Sequence, residues 1–146
     1  MYSKSFSATD LDTATRTVWG EARGEGEAGR RAVAWVIRNR SEIDLWEDGK
    51  ADWWGETLSE VCLKKYQFSC WNSKDPNLNK LKKLSRTDNE YKLILSIVSE
   101  VLLSPVVEDP TSGATHYHVK GLSVLWAKAG RWTANVGNHV FYSDIR

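Results

Sequence analysis

A mainly helical fold with a small β region is predicted for this chain, and three observations predict it. Apolar residues recur at helical spacing in four separate segments. After Pro110 the texture changes to short alternating and β-branched runs. No internal repeat, low-complexity tract or Pro/Gly/Ser-rich linker interrupts the chain, so its 146 residues are expected to form one domain over 1–146, with 1–8 as a flexible N-terminal arm.

The elements follow in order. Ser7 or Thr9 can N-cap a first helix, in which Leu11, Ala14, Val18 and Ala22 share a face and Gly24 is the stop. A second helix is signalled from Glu27 to about Asn39 by Ala32, Val33, Val36 and Ile37, leaving Arg30, Arg31, Arg38 and Arg40 for solvent or a cleft wall. The two helices meet at a glycine-rich corner. Residues Ser41–Gly55 read as an irregular loop around Trp46, Trp53 and Trp54. Thr57 and Glu60 have capping-box spacing and start a short helix with Leu58 and Val61 inward. Thr87 and Glu90 repeat that spacing before a helix to Leu103, with Tyr91, Ile94, Leu95, Val98 and Leu102 as its stripe and Pro105 as its end. Thr115–Val119 and His139–Tyr142 are the candidate strands.

Charge and composition exclude several classes. Lys+Arg total 20 against 19 Asp+Glu, too even a balance to neutralise a phosphate backbone, so no nucleic-acid partner is expected. No stretch approaches the roughly 20 apolar residues of a membrane span. The polar start Met1–Asp10 lacks the apolar core of a secretory signal, so synthesis in the cytoplasm without self-export is expected. Cys62 and Cys70 then read as free thiols. Eight Trp are the notable excess, and indole faces serve either to fill a core or to stack on sugar rings.

The corner Trp19–Gly20–Glu21–Ala22–Arg23–Gly24–Glu25–Gly26–Glu27 puts an acid in the last turn of an apolar-faced helix. A carboxylate there faces the negative end of the helix dipole, which favours its protonated form, as would burial beside Trp19 or Trp35. Glycosidases need such an acid to protonate a poor leaving oxygen. A surface ion pair of Glu21 with Arg23 or a neighbouring Arg explains the same residues, and the spacing does not choose.

The run Val18–Trp19–Gly20–Glu21–Ala22–Arg23–Gly24–Glu25, followed by Gly29, Ala32–Val33–Ala34 and Asn39–Arg40, closely resembles the opening motif of the SleB-like cell wall hydrolases, the spore cortex-lytic enzymes and related phage endolysins. Further blocks in the family's order are Tyr66–Gln67–Phe68–Ser69–Cys70–Trp71, Gly113–Ala114–Thr115–His116–Tyr117–His118 and Val136–Gly137–Asn138–His139–Val140–Phe141–Tyr142. The resemblance implies a single domain of the lysozyme and lytic transglycosylase type, cutting glycan between N-acetylmuramic acid and N-acetylglucosamine, with Glu21 as the catalytic acid and no cofactor. Gly20 stands where many relatives have Ala.

A muramidase needs a second carboxylate about 5–9.5 Å from the first, whereas a lytic transglycosylase manages with one. Glu25 and Glu27 are the nearest seconds, but each follows a glycine on a polar corner and is expected to be solvated; the single-acid route is favoured, more by the family resemblance than by the spacing. Gln67, Phe68 and Ser69 offer an amide, a flat ring and a hydroxyl suited to an acetamido sugar. Tyr117 and Trp126 are candidates for the same groove. His116, His118 and His139 are expected to bond sugar or backbone, the rival being a three-nitrogen zinc site in an amidase. A second rival is a glycan-binding module that stacks sugars on the tryptophan loop without cutting. The expected partner is peptidoglycan glycan strands, approached by a monomer and, for an endolysin, through a holin-type pore; no membrane partner is expected.

Overall fold

Ser7 starts the first helix, α1 (Ala8–Glu21), through a reciprocal capping box: its side chain accepts from the Asp10 backbone N–H and its own N–H donates to the Asp10 carboxylate. Asp10 also accepts from the N–H and the hydroxyl of Ser59, which fastens the short helix α3 (Leu58–Leu63) to the start of α1. The computed structural model describes residues 1–51 and 54–145, so Trp53 of the tryptophan-rich loop lies outside the described residues. Where the sequence suggests an arm, Tyr2 is buried, its N–H donating to Leu102 O at 2.7 Å and its hydroxyl lying 2.7 Å from Ser41 Oγ.

Helix α2 (Glu27–Glu42) runs three residues past Asn39 and is buried at every position from Ala32 to Ser41. Its unbroken apolar run Ala32–Ile37 lets it pack against helices on one side and a sheet on the other. Of the arginines expected in solvent or in a cleft wall, two are buried, and one of these two lines the cleft. Arg38 is 1% exposed, pairs with Glu42 at 2.7 Å and donates to the carbonyls of Val101 and Ser104, satisfying the C-terminal end of the long helix α5 (Asn89–Leu103). Arg40 is also buried, at the foot of the cleft described below. Arg30 and Arg31 stay nearer the surface and pair with Glu90 and Glu100 of α5.

Asp88, not Thr87, caps α5, accepting from the N–H groups of Glu90 and Tyr91. Thr87 is taken by Ser85, and Glu90 is turned to Arg30. Thr57 caps α3 as its spacing predicts. Helix α4 (Leu78–Lys83) is unsignalled in the sequence because a single buried residue, Leu81, leaves no period to read. Leu84–Asp88 connects it to α5.

The β region is one antiparallel sheet in the order β1-β3-β2, made of β1 (His116–Val119), β2 (Arg131–Val136) and β3 (His139–Ser143). Strand β2 is a strand by virtue of its pairing to β3 rather than its pattern, which has no buried position and is broken by a register shift between Trp132 and Ala134. The main core lies among α1, α2, α3 and α5, with Val18, Val33, Trp35, Leu58, Ile94 and Val98 at its centre. A smaller cluster of Ala32, Val36, Ala114 and Phe141 joins α2 to the sheet. Tyr117 packs against both, and this places one strand residue at the end of α1. Among the described residues no helix is long and apolar enough to cross a membrane.

Candidate active site

Glu21 is the last residue of α1, partly buried where the helix, the sheet and the turn Ser69–Trp71 converge. Its two carboxylate oxygens have separate donors. The Tyr117 hydroxyl donates to Oε1 at 2.8 Å, and the Cys70 backbone N–H donates to Oε2 at 3.1 Å, with Ser69 Oγ further off at 3.5 Å. Burial first, and then the neighbouring Glu21, push the Tyr117 phenol well above its ordinary value, so it stays a donor at any physiological pH. The ion pair of Glu21 with Arg23 that the sequence also allowed does not form, because the Arg23 guanidinium lies 4.7 Å over the Trp19 ring.

Gly20 makes this arrangement possible. A Cβ there would lie 2.6 Å from Cys70 Cβ and 3.0 Å from Cys70 Sγ, so the missing methyl is the space that the cysteine fills. The Cys70 thiol, buried, is a packing group here; burial pushes its pKa up, and Glu21 adds to the effect. Cys62 is likewise a buried free thiol, raised to about 12 by burial.

Tyr117 also borders a cleft of about 560 Å³ lined by Arg40, Trp54, Lys64, Tyr66, Gln67, His116 and Trp126. Trp54 donates from its indole N–H to Gln67 Oε1 at 3.1 Å, which orients the amide. Trp126 is held by ring contacts to His116, His118 and Tyr142 at centroid distances of 5.0, 5.9 and 5.5 Å. Beneath them Arg40 donates from Nε to Thr115 O at 2.6 Å and places its guanidinium over the rings of Trp54 and Phe68. Burial lowers Arg40 to about 10, which leaves it a cation at neutral pH.

The sequence-derived candidates therefore separate. Gln67, His116, Tyr117 and Trp126 face one cleft, and Ser69 adjoins Glu21. Phe68 is 2% exposed and supports Arg40 from the core. His118 stacks on Tyr142 and lies 3.0 Å from its hydroxyl. The three histidines do not converge on one point. His116 and His118 share the sheet face of Tyr142, whereas His139 lies on the other with Tyr117 and Phe141, and no group of three ligand side chains forms among the described residues. Arg40 takes the cleft-wall place that the sequence offers it, whereas Trp54, Lys64 and Tyr66 carry no sequence signal that assigns them to this cleft, though Tyr66 sits inside a family block.

Glu25 is not the solvated residue its glycine-rich setting suggests. Its side chain is 9% exposed and lies against two glycines, since a Cβ on Gly29 would come 2.8 Å from Glu25 Cβ and one on Gly137 would come 2.6 Å from Glu25 Oε2. It accepts from the Asn138 N–H at 3.1 Å and lies 3.3 Å from His139 Nδ1, outside hydrogen-bond geometry. The His139 ring in turn meets Tyr117 edge-on at 4.8 Å. Burial keeps His139 below its ordinary pKa against the opposing pull of Glu25 and Glu21, so it is neutral at pH 7.

Two solved structures share this fold. The catalytic domain of the germination-specific lytic transglycosylase SleB from Bacillus anthracis aligns with a TM-score of 0.70 at 24% identity, covering 96% of this chain and 98% of that one. The catalytic domain of the Bacillus cereus SleB protein aligns with a TM-score of 0.72 at 22% identity, covering 96% and 94%. No curated protein matches by sequence. A family model described as Cell Wall Hydrolase matches residues 24–142, a span that begins just after Glu21 and takes in the cleft, the turn and the whole sheet. The chain belongs to the cell wall hydrolase family.

Proposed function

We propose that this cell wall hydrolase is a lytic transglycosylase that cuts peptidoglycan between N-acetylmuramic acid and N-acetylglucosamine, with Glu21 as its acid and then its base. The observation that carries the reading is the Glu21 carboxylate held beside the cleft. Glu21 is held at both oxygens by Tyr117 and Cys70, while among the described residues no Asp or Glu lines the cleft. Glu25 points into its glycine cradle, and Glu27 pairs with Arg31 at 2.9 Å.

In the proposed reaction protonated Glu21 donates to the glycosidic oxygen as the bond from that oxygen to the muramic C1 breaks. The muramic C6 hydroxyl then attacks C1 and returns its proton to the Glu21 carboxylate, closing a 1,6-anhydro ring without consuming water. The Tyr117 hydroxyl and the Cys70 N–H fix the carboxylate's orientation across both proton transfers. Trp126, Gln67 and His116 offer the sugar a flat face and polar edges. The SleB domain from Bacillus anthracis, itself described as a lytic transglycosylase, supports the same choice by likeness of fold.

The test is mass spectrometry of the soluble products from purified peptidoglycan, with Glu21→Gln alongside. Anhydromuramic ends from the wild type and none from the variant are expected. Reducing muramic ends would mean hydrolysis, and free stem peptides an amidase; either result overturns the proposal.

A further inference from the structure

Charge is spread unevenly over this nearly neutral chain. Between residues 64 and 83 lie six lysines, Lys64, Lys65, Lys74, Lys80, Lys82 and Lys83, against one acid, Asp75. All six are exposed, and among the described residues none makes an ion pair. Three of them, Lys64, Lys65 and Lys74, line a second cavity of about 570 Å³ together with Tyr66, Trp71 and Asn72, and among the described residues no acidic one lines it. This cavity shares Lys64 and Tyr66 with the cleft beside Tyr117, so the two are adjoining lobes on either side of those residues. Phe68 and Trp71, in its wall, flank the Cys70 whose N–H holds Glu21.

We infer that this lysine-lined lobe binds the carboxylates of the peptide chains that peptidoglycan carries. The inference rests on the glycan-cleaving function proposed above. The stem peptide leaves the glycan at the lactyl group of the same muramic residue whose C1 reacts, so a peptide must pass over the cleft wall close to Glu21. A cationic wall without an ion-pair partner among the described residues attracts the carboxylates of such a chain. Tyr66, 76% exposed and carrying Lys65 Nζ 5.0 Å from its ring centroid, stands where the two lobes meet and offers the peptide an apolar face beside a charge.

The experiment compares steady-state cleavage of peptide-bearing strands and of strands stripped by an amidase, for the wild type, for a Lys65→Gln/Lys74→Gln variant that leaves the cleft-lining Lys64 in place, and for a Lys92→Gln/Lys120→Gln control that lines neither lobe. Exposed charge pairs are individually weak, so the two together are expected to raise KM on peptide-bearing strands about three- to fivefold, with kcat unchanged. KM on stripped strands and the behaviour of the control should stay as in the wild type, and added salt should erase the difference. An equal rise on both substrates, or no rise, overturns the inference. So does salt-sensitive retention on anionic lipid vesicles without any preference for peptide-bearing strands. Failure of the wild type to cut either substrate would instead overturn the proposed function.

Discussion

Tyr117 is the residue through which the sheet reaches the acid, because its ring sits between both apolar clusters and its hydroxyl ends on Glu21. Replacing it with Phe keeps the packing and removes one hydrogen bond to an ionisable group, which is worth about a tenfold or larger loss in rate. Tyr117→Phe is therefore expected to lower kcat on peptidoglycan at nearly unchanged KM and melting temperature. Glu25 gives a sharper comparison. Gln keeps an acceptor for Asn138 and fills the same glycine cradle, whereas Ala empties it. If Glu25 is structural, Glu25→Gln retains most activity and Glu25→Ala loses stability as well as rate. A Glu25→Gln variant as inactive as Glu21→Gln but equally well folded would make Glu25 a second catalytic carboxylate and revive the muramidase.

Elements meet the site at α1 and the Ser69–Trp71 turn, and their contact is as close as a glycine allows. Gly20→Ala inserts a methyl group into the place of Cys70 and must push the turn away from α1. Overpacking of that kind costs about 1–3 kcal/mol, more than the helix propensity Ala would return. The Cys70 N–H should move off Glu21 with it. Thermal melting and activity should both fall in Gly20→Ala, and a Gly20→Ala/Cys70→Gly double variant should recover part of each. An increase in melting temperature for the single variant would mean that the turn yields freely and that the close approach is incidental. Within α5, Asp88→Ala removes the helix cap and is expected to cost about 1 kcal/mol, read as a lower denaturation midpoint at unchanged slope.

For the molecule as a whole, acid is the condition that the site tolerates least. Burial first, and then the Arg40 cation, depress His116 to about 3 from its ordinary 6.5. Between those two values the unfolded chain binds a proton that the folded one refuses, so stability is complete above about pH 6.5 and declines as pH falls through that window. His139, also depressed by burial, acts in the same direction. Asp10 and Asp12 add a later loss: burial alone would raise them, but hydrogen bonds from Ser59 to Asp10 and from Tyr91 to Asp12 outweigh it and hold both below the usual carboxylate range. Their stabilisation is present above the unfolded value and fades as pH drops through the folded one. Denaturant midpoints should therefore fall between pH 7 and pH 4, and His116→Phe should flatten that slope. An unchanged slope in the variant would remove His116 from the account.

The amino-acid sequence by itself determined the class of fold, most helix starts, the family blocks and the position of Glu21, because caps, apolar periods and glycine corners act within a few residues of themselves. It offered Gln67, Tyr117 and Trp126 as groove candidates on their chemistry without fixing which way they face, and in the fold all three border one cleft. Burial of Arg38 and Arg40 was not legible, since each is exposed or buried according to what α2 packs against on its far side. Strand β2 exists through its partner β3, and α4 through its contact with neighbouring elements, so neither has a pattern of its own. The turn of Glu25 away from solvent needed Gly137, more than a hundred positions distant, and the separation of His139 from His116 and His118 needed the register of β1 on β3. Only the tertiary structure decided these, because a side chain's surroundings are set by residues far from it in the chain, and spacing records none of them.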